Sequence, residues 1–296
     1  MCIETRSCHR LVDRDGDTPI LAIPRAFLPF RIRRKEWTPP ERQTDMSSKK
    51  YKGKTCAYCG TPGASDTADH VFAREFFLKE RRANLPKVPA CRPCNTGKSI
   101  LERYLTGVLP FGGRHPDASA NLTAMVPKRL AKNPSVGVAL RAGMSPVWMP
   151  DPSGLILRTS MITIEADKLE QWCELLVRGL AYYHWQTVIG PDCFFRFMAL
   201  TGGGEAFLGD LLSKRGADRA RSDLGESTFA YEGLQGIDNP VVTAWRLQLY
   251  GGLLLVGDDM ARRSGSIGVL TGPMHVRQRA ELRIKWRQGL GARQTV

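Results

Sequence analysis

The chain has 296 residues, of which 42% are hydrophobic, and a formal net charge of +14. This content is sufficient for a folded core in one large domain or two smaller ones. No apolar run approaches the roughly 18 residues that a membrane span requires, and the start lacks the charged, apolar and small-residue order of a secretory signal. We therefore expect a cytoplasmic protein with no membrane partner.

The positive charge is concentrated in one part of the chain. Residues 46–115 contain 13 Lys and Arg against 5 Asp and Glu, a net charge of +8. Such an excess concentrates polyanions near the surface and releases their counterions, which favours nucleic acid as a partner. A solvated basic face accounts for the charge equally well, so charge alone leaves both interpretations open.

The first 45 residues show no sustained hydrophobic period. They mix Arg with Asp and contain Pro24, Pro29, Pro39 and Pro40. We expect residues 1–45 to form a loosely ordered N-terminal extension. A sharper hypothesis is that the natural start is Met46, which opens a short basic lead toward the first cysteine motif.

Two Cys-x-x-Cys pairs follow, Cys56/Cys59 and Cys91/Cys94. Four thiolates at this spacing can close a tetrahedral zinc site, which would hold together a segment too small to build a core unaided. Gly60 follows the first pair, where it permits the positive φ of a knuckle turn. A redox role would need a single pair beside a βαβ pattern, and neither pair has one.

The segment around the cysteines predicts two strands and a helix. Residues 67–72 are expected to form a short strand that carries Asp69 and His70, and residues 85–90 form a second extended run. After the second pair, apolar residues at helical spacing predict a helix over residues 95–105. A hairpin and a helix around a metal make a ββα arrangement.

The order Cys-x2-Cys, Asp-His, Asn, Cys-x2-Cys-Asn-x2-Lys resembles the HNH endonucleases of the four-cysteine type. The resemblance covers about fifty residues, from Cys56 to Leu105. It implies a ββα-metal fold and the hydrolysis of phosphodiester bonds. It also implies two metals with separate roles: a structural Zn²⁺ on the four cysteines, and a catalytic Mg²⁺ or another divalent cation.

Carried over by position, the resemblance assigns four catalytic residues. His70 is the general base that takes a proton from the attacking water. Asp69 and Asn95 hold the divalent ion, which stabilises charge on the phosphorane and on the leaving oxygen. Asn84 braces the loop that orients the histidine.

Three cations near the motif are candidate nucleic-acid contacts: Lys98, Arg74 and Arg92. Lys98 lies one turn beyond Asn95, where it contacts phosphate near the positive end of the helix or is merely solvated. The expected partner is nucleic acid, with double-stranded DNA as the first choice.

Beyond residue 110 the sequence predicts architecture rather than chemistry. Residues 111–160 are expected to link two parts through short helices. A long helix is expected to start at Asp167, with a capping box formed by Asp167 and Glu170, and to stop by Gly190. A short helix is expected near residues 205–214, and strand-like runs occur at 193–200, 227–231, 241–250 and 253–256.

The predicted fold class is α+β, with a ββα-metal zinc module over residues 46–110 and an accessory α+β domain over residues 161–296. The sheet of the accessory domain is expected to be mostly antiparallel. Alternation of apolar and basic residues over 282–287 predicts a strand whose basic row either tracks a phosphate backbone or protects a sheet edge.

The sequence therefore predicts a metal-dependent HNH endonuclease that acts on DNA. The alternative is a non-catalytic zinc-binding module that binds nucleic acid. Such a module has no need for Asp69, His70, Asn84 and Asn95 together, which favours the enzyme.

Overall fold

The computed structural model describes residues 2–5, 20–22, 48–150, 153–213, 218–256 and 264–274. Within these ranges the protein is a mixture of helices and largely antiparallel sheets, as the predicted α+β class requires. No helix in these ranges is long and apolar enough to cross a membrane. The proposed start at Met46 and the strand predicted over 282–287 lie outside the described residues.

The cysteine motifs lie in a small hairpin-and-helix unit. Two short strands precede it, and short 3₁₀ turns occupy Ser48–Lys50, Arg74–Phe76 and Lys79–Arg81. The regular elements up to the end of this unit are β1 (Cys2–Thr5), β2 (Ile20–Ala22), β3 (Thr67–His70), β4 (Lys87–Ala90) and α1 (Arg92–Val108). Strands β3 and β4 pair antiparallel, and α1 starts three residues earlier than predicted.

A helical stretch and a hairpin follow. After a 3₁₀ turn at Leu109–Gly112 the elements are α2 (Pro116–Ala124), α3 (Val126–Lys132), α4 (Pro134–Ala142), β5 (Met144–Pro150), β6 (Ile156–Ile164) and α5 (Ala166–Trp185). Each of the three short helices has a proline in its first turn, where the missing N–H breaks no helical hydrogen bond. These prolines divide the region into separate helices.

The remaining elements are β7 (Cys193–Ala199), α6 (Gly202–Ser213), β8 (Arg219–Leu224), β9 (Phe229–Gln235), β10 (Thr243–Leu249), β11 (Leu255–Val256) and β12 (Ser266–Pro273). One sheet has the order β7-β12-β10-β9-β8 and is antiparallel throughout. The other large sheet has the order β11-β2-β1-β6-β5, and its pair β1–β6 is parallel.

Several details differ from the sequence-based expectations. Helix α5 starts at Ala166 with Glu165 at its N-cap, so Asp167 lies inside the first turn and the predicted capping box does not form. It ends where Gln186 adopts a left-handed φ of 54°, before Gly190. Of the N-terminal extension the structure describes β1 and β2, which pair with each other and with β6, and the order of the remaining residues stays a prediction.

One continuous hydrophobic core joins the cysteine unit to the rest of the described chain. The Phe76 ring lies 4.9 Å from Trp172 on α5 and 5.2 Å from Phe229 on β9. Helix α5 packs on the antiparallel sheet as predicted, with Trp185 4.9 Å from Trp245. The hairpin and α1 are therefore built onto the larger domain.

Candidate functional site

The four cysteines of the two motifs converge on one point. Their Sγ atoms all lie within 4.8 Å of one another, and those of Cys59 and Cys91 are 3.9 Å apart. A tetrahedral zinc ion with Zn–S bonds of about 2.3 Å places its sulfurs about 3.8 Å apart. The cluster therefore fits a zinc ion with four thiolate ligands and no open position.

The backbone of both motifs shapes this cluster. Gly60 has a φ of 74°, as predicted, and its N–H donates to the carbonyl of Cys56 at 2.9 Å. Cys91 is the N-cap of α1, and its N–H donates to Cys56 Sγ at 3.4 Å. The second motif thus becomes the first turn of the helix, so that a metal on the cysteines would fix the start of α1 to the first knuckle.

The face of β3 that carries Asp69 points toward α1. Thr67 and Asp69 share this face because side chains alternate along a strand. Asn95 on α1 donates from Nδ2 to Thr67 Oγ1 at 3.1 Å. Asp69 Oδ2 accepts the hydroxyl of Tyr58 at 2.5 Å and lies 3.0 Å from the ammonium of Lys98. The structure therefore brings Asp69 and Asn95 to the same side of the hairpin.

Lys98 is fully buried, in contrast to both the phosphate contact and the solvated position that the sequence left open. Its Nζ donates to the carbonyl of His70 at 2.8 Å and to Glu102 Oε1 at 2.6 Å. Trp172 Nε1 donates to the same Glu102 oxygen at 3.3 Å. With Asp69 and Glu102 both around it, the ammonium is an internal cation that joins β3, α1 and α5, and it is not open to a nucleic-acid backbone.

His70 lies on the opposite face of β3. Its cross-strand partner is Lys87, and directly opposite residues project their side chains to the same face. Burial lowers the pKa of His70 below its ordinary value, and the charges of Lys87, Arg74 and Lys98 lower the pKa further, against an opposing effect of Asp69. The imidazole is therefore neutral near pH 7, which suits a group that accepts a proton.

The site contains the types of ligand that a divalent ion needs, but the neighbouring groups disfavour the binding of such an ion. A carboxylate and an amide oxygen are ligands that Mg²⁺ accepts. However, Asp69 Oδ2 is already bonded to Tyr58 and Lys98, and an ammonium at 3.0 Å repels a second cation. Within the described ranges, the four cysteines form the one group of three or more Cys, His, Asp or Glu with converging ligand atoms. As placed, the residues fit zinc at the cysteines and do not fit the expected ion at Asp69.

The other predicted site residues lie at the edge of this unit. Asn84 is exposed and adopts a left-handed φ of 58° in the turn before β4, a conformation that asparagine tolerates better than most residues. Arg74 and Arg92 are both exposed, at the start of a 3₁₀ turn and of α1. Their assignment as nucleic-acid contacts remains a prediction.

Helix α5 contributes contacts that the sequence did not predict. Arg178 Nη1 donates to the carbonyl of Tyr58 at 2.6 Å, inside the first knuckle. A Cβ added at Gly179 would lie 3.0 Å from Val71, the residue after His70. The i, i+4 spacing of Lys98 and Glu102 on a helix indicates an ion pair. Nothing in the sequence indicated that Tyr58 and Trp172 would contact this pair or its neighbours.

No protein-family model, curated protein or solved structure matches this chain. The likeness to HNH endonucleases therefore rests on the motif residues alone.

Proposed function

We propose that the chain is a zinc-stabilised phosphodiester hydrolase of the HNH type that acts on nucleic acid, with His70 as its general base. The observation that carries the proposal is the cysteine cluster, which lies where the hairpin β3–β4 meets α1. Asp69 and Asn95 lie on the same side of this hairpin, and His70 lies on the opposite face. The residue order and spacing of the motif support the same function.

The proposed reaction uses the neutral imidazole of His70. One ring nitrogen takes a proton from water as the water oxygen attacks phosphorus, and the bond to the leaving oxygen breaks as that oxygen takes a proton from solvent. Lys87 and Arg74 both lie close enough to lower the pKa of His70, so the field around the imidazole is positive and favours the approach of a phosphodiester. Asp69 and Lys98 act through the backbone of His70, since the ammonium bonded to Asp69 also holds the His70 carbonyl.

The divalent ion implied by the resemblance takes no part in the proposed reaction, because Asp69, its expected carboxylate ligand, is already paired with Lys98. An ion held by Asp69 and Asn95 would require that ion pair to open.

A cleavage assay tests the proposal directly. Parent protein and His70→Ala are incubated with supercoiled plasmid, linear duplex, single-stranded DNA and RNA, with Mg²⁺ and with EDTA. We expect the parent to cleave at least one substrate and His70→Ala to lose about 10²–10⁴-fold in rate. Equal rates for the two proteins would remove His70 from the mechanism.

Zinc content serves as the control for this assay. EDTA also competes for zinc on the cysteines, so zinc is measured in the same samples by atomic absorption. Loss of cleavage with zinc retained indicates a second, catalytic metal, whereas loss of both indicates unfolding of the cysteine unit. His70→Ala must keep the zinc content of the parent for its loss of activity to be assigned to the base.

The second candidate function is a zinc-binding module that binds nucleic acid without cleaving it. One observation favours it: the carboxylate expected to hold the catalytic ion is already paired with Lys98. Binding without cleavage of any of the four substrates, in the presence of Mg²⁺, would support this alternative.

A further inference from the structure

A cleft of about 160 Å³ lies between the cysteine unit and the end of α5. It is lined by Lys50, Tyr51, Lys54, Lys87, Pro89, Tyr182, Tyr183 and Gln186. Three of the lining residues are lysines, three are tyrosines, and none is acidic. The cleft therefore combines positive charge with aromatic rings.

Three separate parts of the chain build the cleft. Lys54 belongs to the segment before the first knuckle, which is fixed by reciprocal backbone bonds: Gly53 N to Ser65 O at 2.8 Å and Ser65 N to Lys54 O at 3.0 Å. Tyr182 and Tyr183 are half-buried and end α5. The cleft thus depends on tertiary structure, and none of its aromatic residues lies in the motif.

The cleft adjoins the face of the hairpin that carries His70. Lys87 lines the cleft and is the direct cross-strand partner of His70. Pro89, another lining residue, lies two positions along β4 and therefore faces the same side. A ligand in the cleft would consequently lie on the same side of the hairpin as the imidazole, and not on the side of Asp69.

We propose that this cleft binds an unpaired nucleotide of the nucleic acid, with a lysine on its phosphate and a tyrosine ring stacked on its base. This inference rests on the proposed function and adds a substrate class to it. Base stacking on aromatic rings together with a basic groove is the usual way in which proteins hold single strands. A cleft of about 160 Å³ has room for one base and not for a base pair, so the base would enter it unpaired, with its phosphate against an exposed lysine at the rim such as Lys54.

Fluorescence anisotropy with a labelled 12-residue oligothymidylate tests the proposal. We expect the parent to bind this single strand more tightly than a duplex of the same length and more tightly than an abasic strand. Tyr182→Leu and Tyr183→Leu, singly and together, separate the contributions of the two rings. Removing the stacking ring weakens binding by about 5- to 150-fold.

Matched variants separate stacking from charge and from folding. Tyr182→Phe and Tyr183→Phe keep the rings and should retain binding. Lys54→Gln removes an exposed charge and should weaken binding with a smaller dependence on salt. Lys128→Gln, an exposed lysine on α3 that does not line the cleft, should bind as the parent does.

The outcomes distinguish this inference from the proposed function. It is overturned if the parent does not bind the oligonucleotide, if the duplex or abasic strand binds as tightly, or if the leucine variants and Lys54→Gln bind like the parent. If the variants that bind like the parent also cleave nucleic acid, the proposed hydrolase activity stands and only the cleft is rejected as a binding site. Ring-dependent binding with no cleavage would support the cleft and reject the hydrolase.

Discussion

At the scale of single residues, Lys98 determines the electrostatics of the candidate site. Its ammonium is fully buried and contacts Asp69, Glu102 and the carbonyl of His70. A buried charge is tolerated only with close opposite charges and hydrogen bonds, and here both are present. One lysine therefore links the packing of α1 to the position of the proposed base.

Replacing Lys98 should be strongly destabilising. Lys98→Met removes the cation, which leaves the Asp69 carboxylate without a counter-charge and Glu102 and the His70 carbonyl without a hydrogen-bond donor, so we expect a loss of about 3–5 kcal/mol in the free energy of unfolding. Urea denaturation of zinc-saturated protein measures it. The exposed control Lys128→Met should stay within about 0.5 kcal/mol of the parent. A Lys98→Met protein as stable as this control would show that the ion-pair network is unimportant.

Glu102 should make stability depend on pH. Burial raises its pKa from 4.5 to about 7, against the opposing effects of Lys98 and Trp172. Between pH 4.5 and about pH 7 the Glu102 carboxyl keeps its proton in the folded protein and releases it in the unfolded chain. The stabilisation is therefore complete below about pH 4.5 and is lost as the pH rises through 7, up to about 3 kcal/mol in total.

The comparison that measures this effect is parent against Glu102→Gln, by urea denaturation from pH 5 to pH 8 with zinc in excess. The parent should lose stability relative to the variant as the pH rises. Parallel curves for the two proteins would assign the pH dependence to other groups.

The sequence best predicted those residues whose roles follow from the spacing of their immediate neighbours in the chain. The spacing of Cys56, Cys59, Cys91 and Cys94 was enough to predict a metal cluster, because ligand geometry restricts how far apart the motifs can fold. The burial of Lys98 was not predictable in the same way. It depends on Trp172, seventy residues away in sequence, packing against Glu102.

At the scale of elements, the pair β3–β4 is too small to be stable alone. A two-stranded hairpin is marginal in water, and these strands have four residues each. The cysteine cluster supports the hairpin at one end, and α5 packs against β4. Metal binding should therefore be part of the folding of this unit.

Removing the zinc should loosen the hairpin and lower the melting temperature. Parent protein should contain one zinc per chain, and Cys91→Ser should lose the metal and melt at least about 5 °C lower, since that shift is about 2 kcal/mol for a chain of this size. Atomic absorption and circular dichroism measure these changes. Cys193→Ser changes a cysteine outside the cluster and should keep one zinc. A Cys91→Ser protein with unchanged zinc would contradict the four-cysteine site.

Elements with a strong internal pattern were predicted, and those defined by their neighbours were missed. Helix α5 has a long apolar stripe, so its existence was predictable and only its ends were wrong. Strand β8 is polar and at a sheet edge, and β12 contains two glycines, so neither has a strong strand pattern. Their positions are fixed by hydrogen bonding to β9 and β10.

At the scale of the whole molecule, one continuous hydrophobic core among the described residues runs past the domain boundary predicted near residue 110, and the division into domains stays a prediction. The boundary predicted near residue 110 crosses no gap in packing, because Phe76 lies against Trp172 and Phe229. The hydroxyl of Tyr250 also donates to the Phe76 carbonyl at 2.8 Å. Sequence spacing identified the motif but could not show how much of its hydrophobic surface is covered by distant residues.

The isolated motif should consequently fail to fold like the full chain. A fragment of residues 46–110 exposes Phe72, Phe76 and Phe77, which are buried in the full chain. With zinc added, we expect it to bind the metal but to show poor NMR dispersion and to bind a hydrophobic dye. A fragment with dispersed signals and no dye binding would show that the module is independent, as the sequence predicted.

The close approach of Gly179 to Val71 has a mechanical consequence. No side chain of α5 separates the helix backbone from the residue that follows His70, and Arg178 grips the first knuckle from the same turn. Any side chain introduced at position 179 would press on Val71, and therefore on the backbone next to the residue that carries the imidazole. The bare surface of the helix at this turn is thus a condition for the placement of His70.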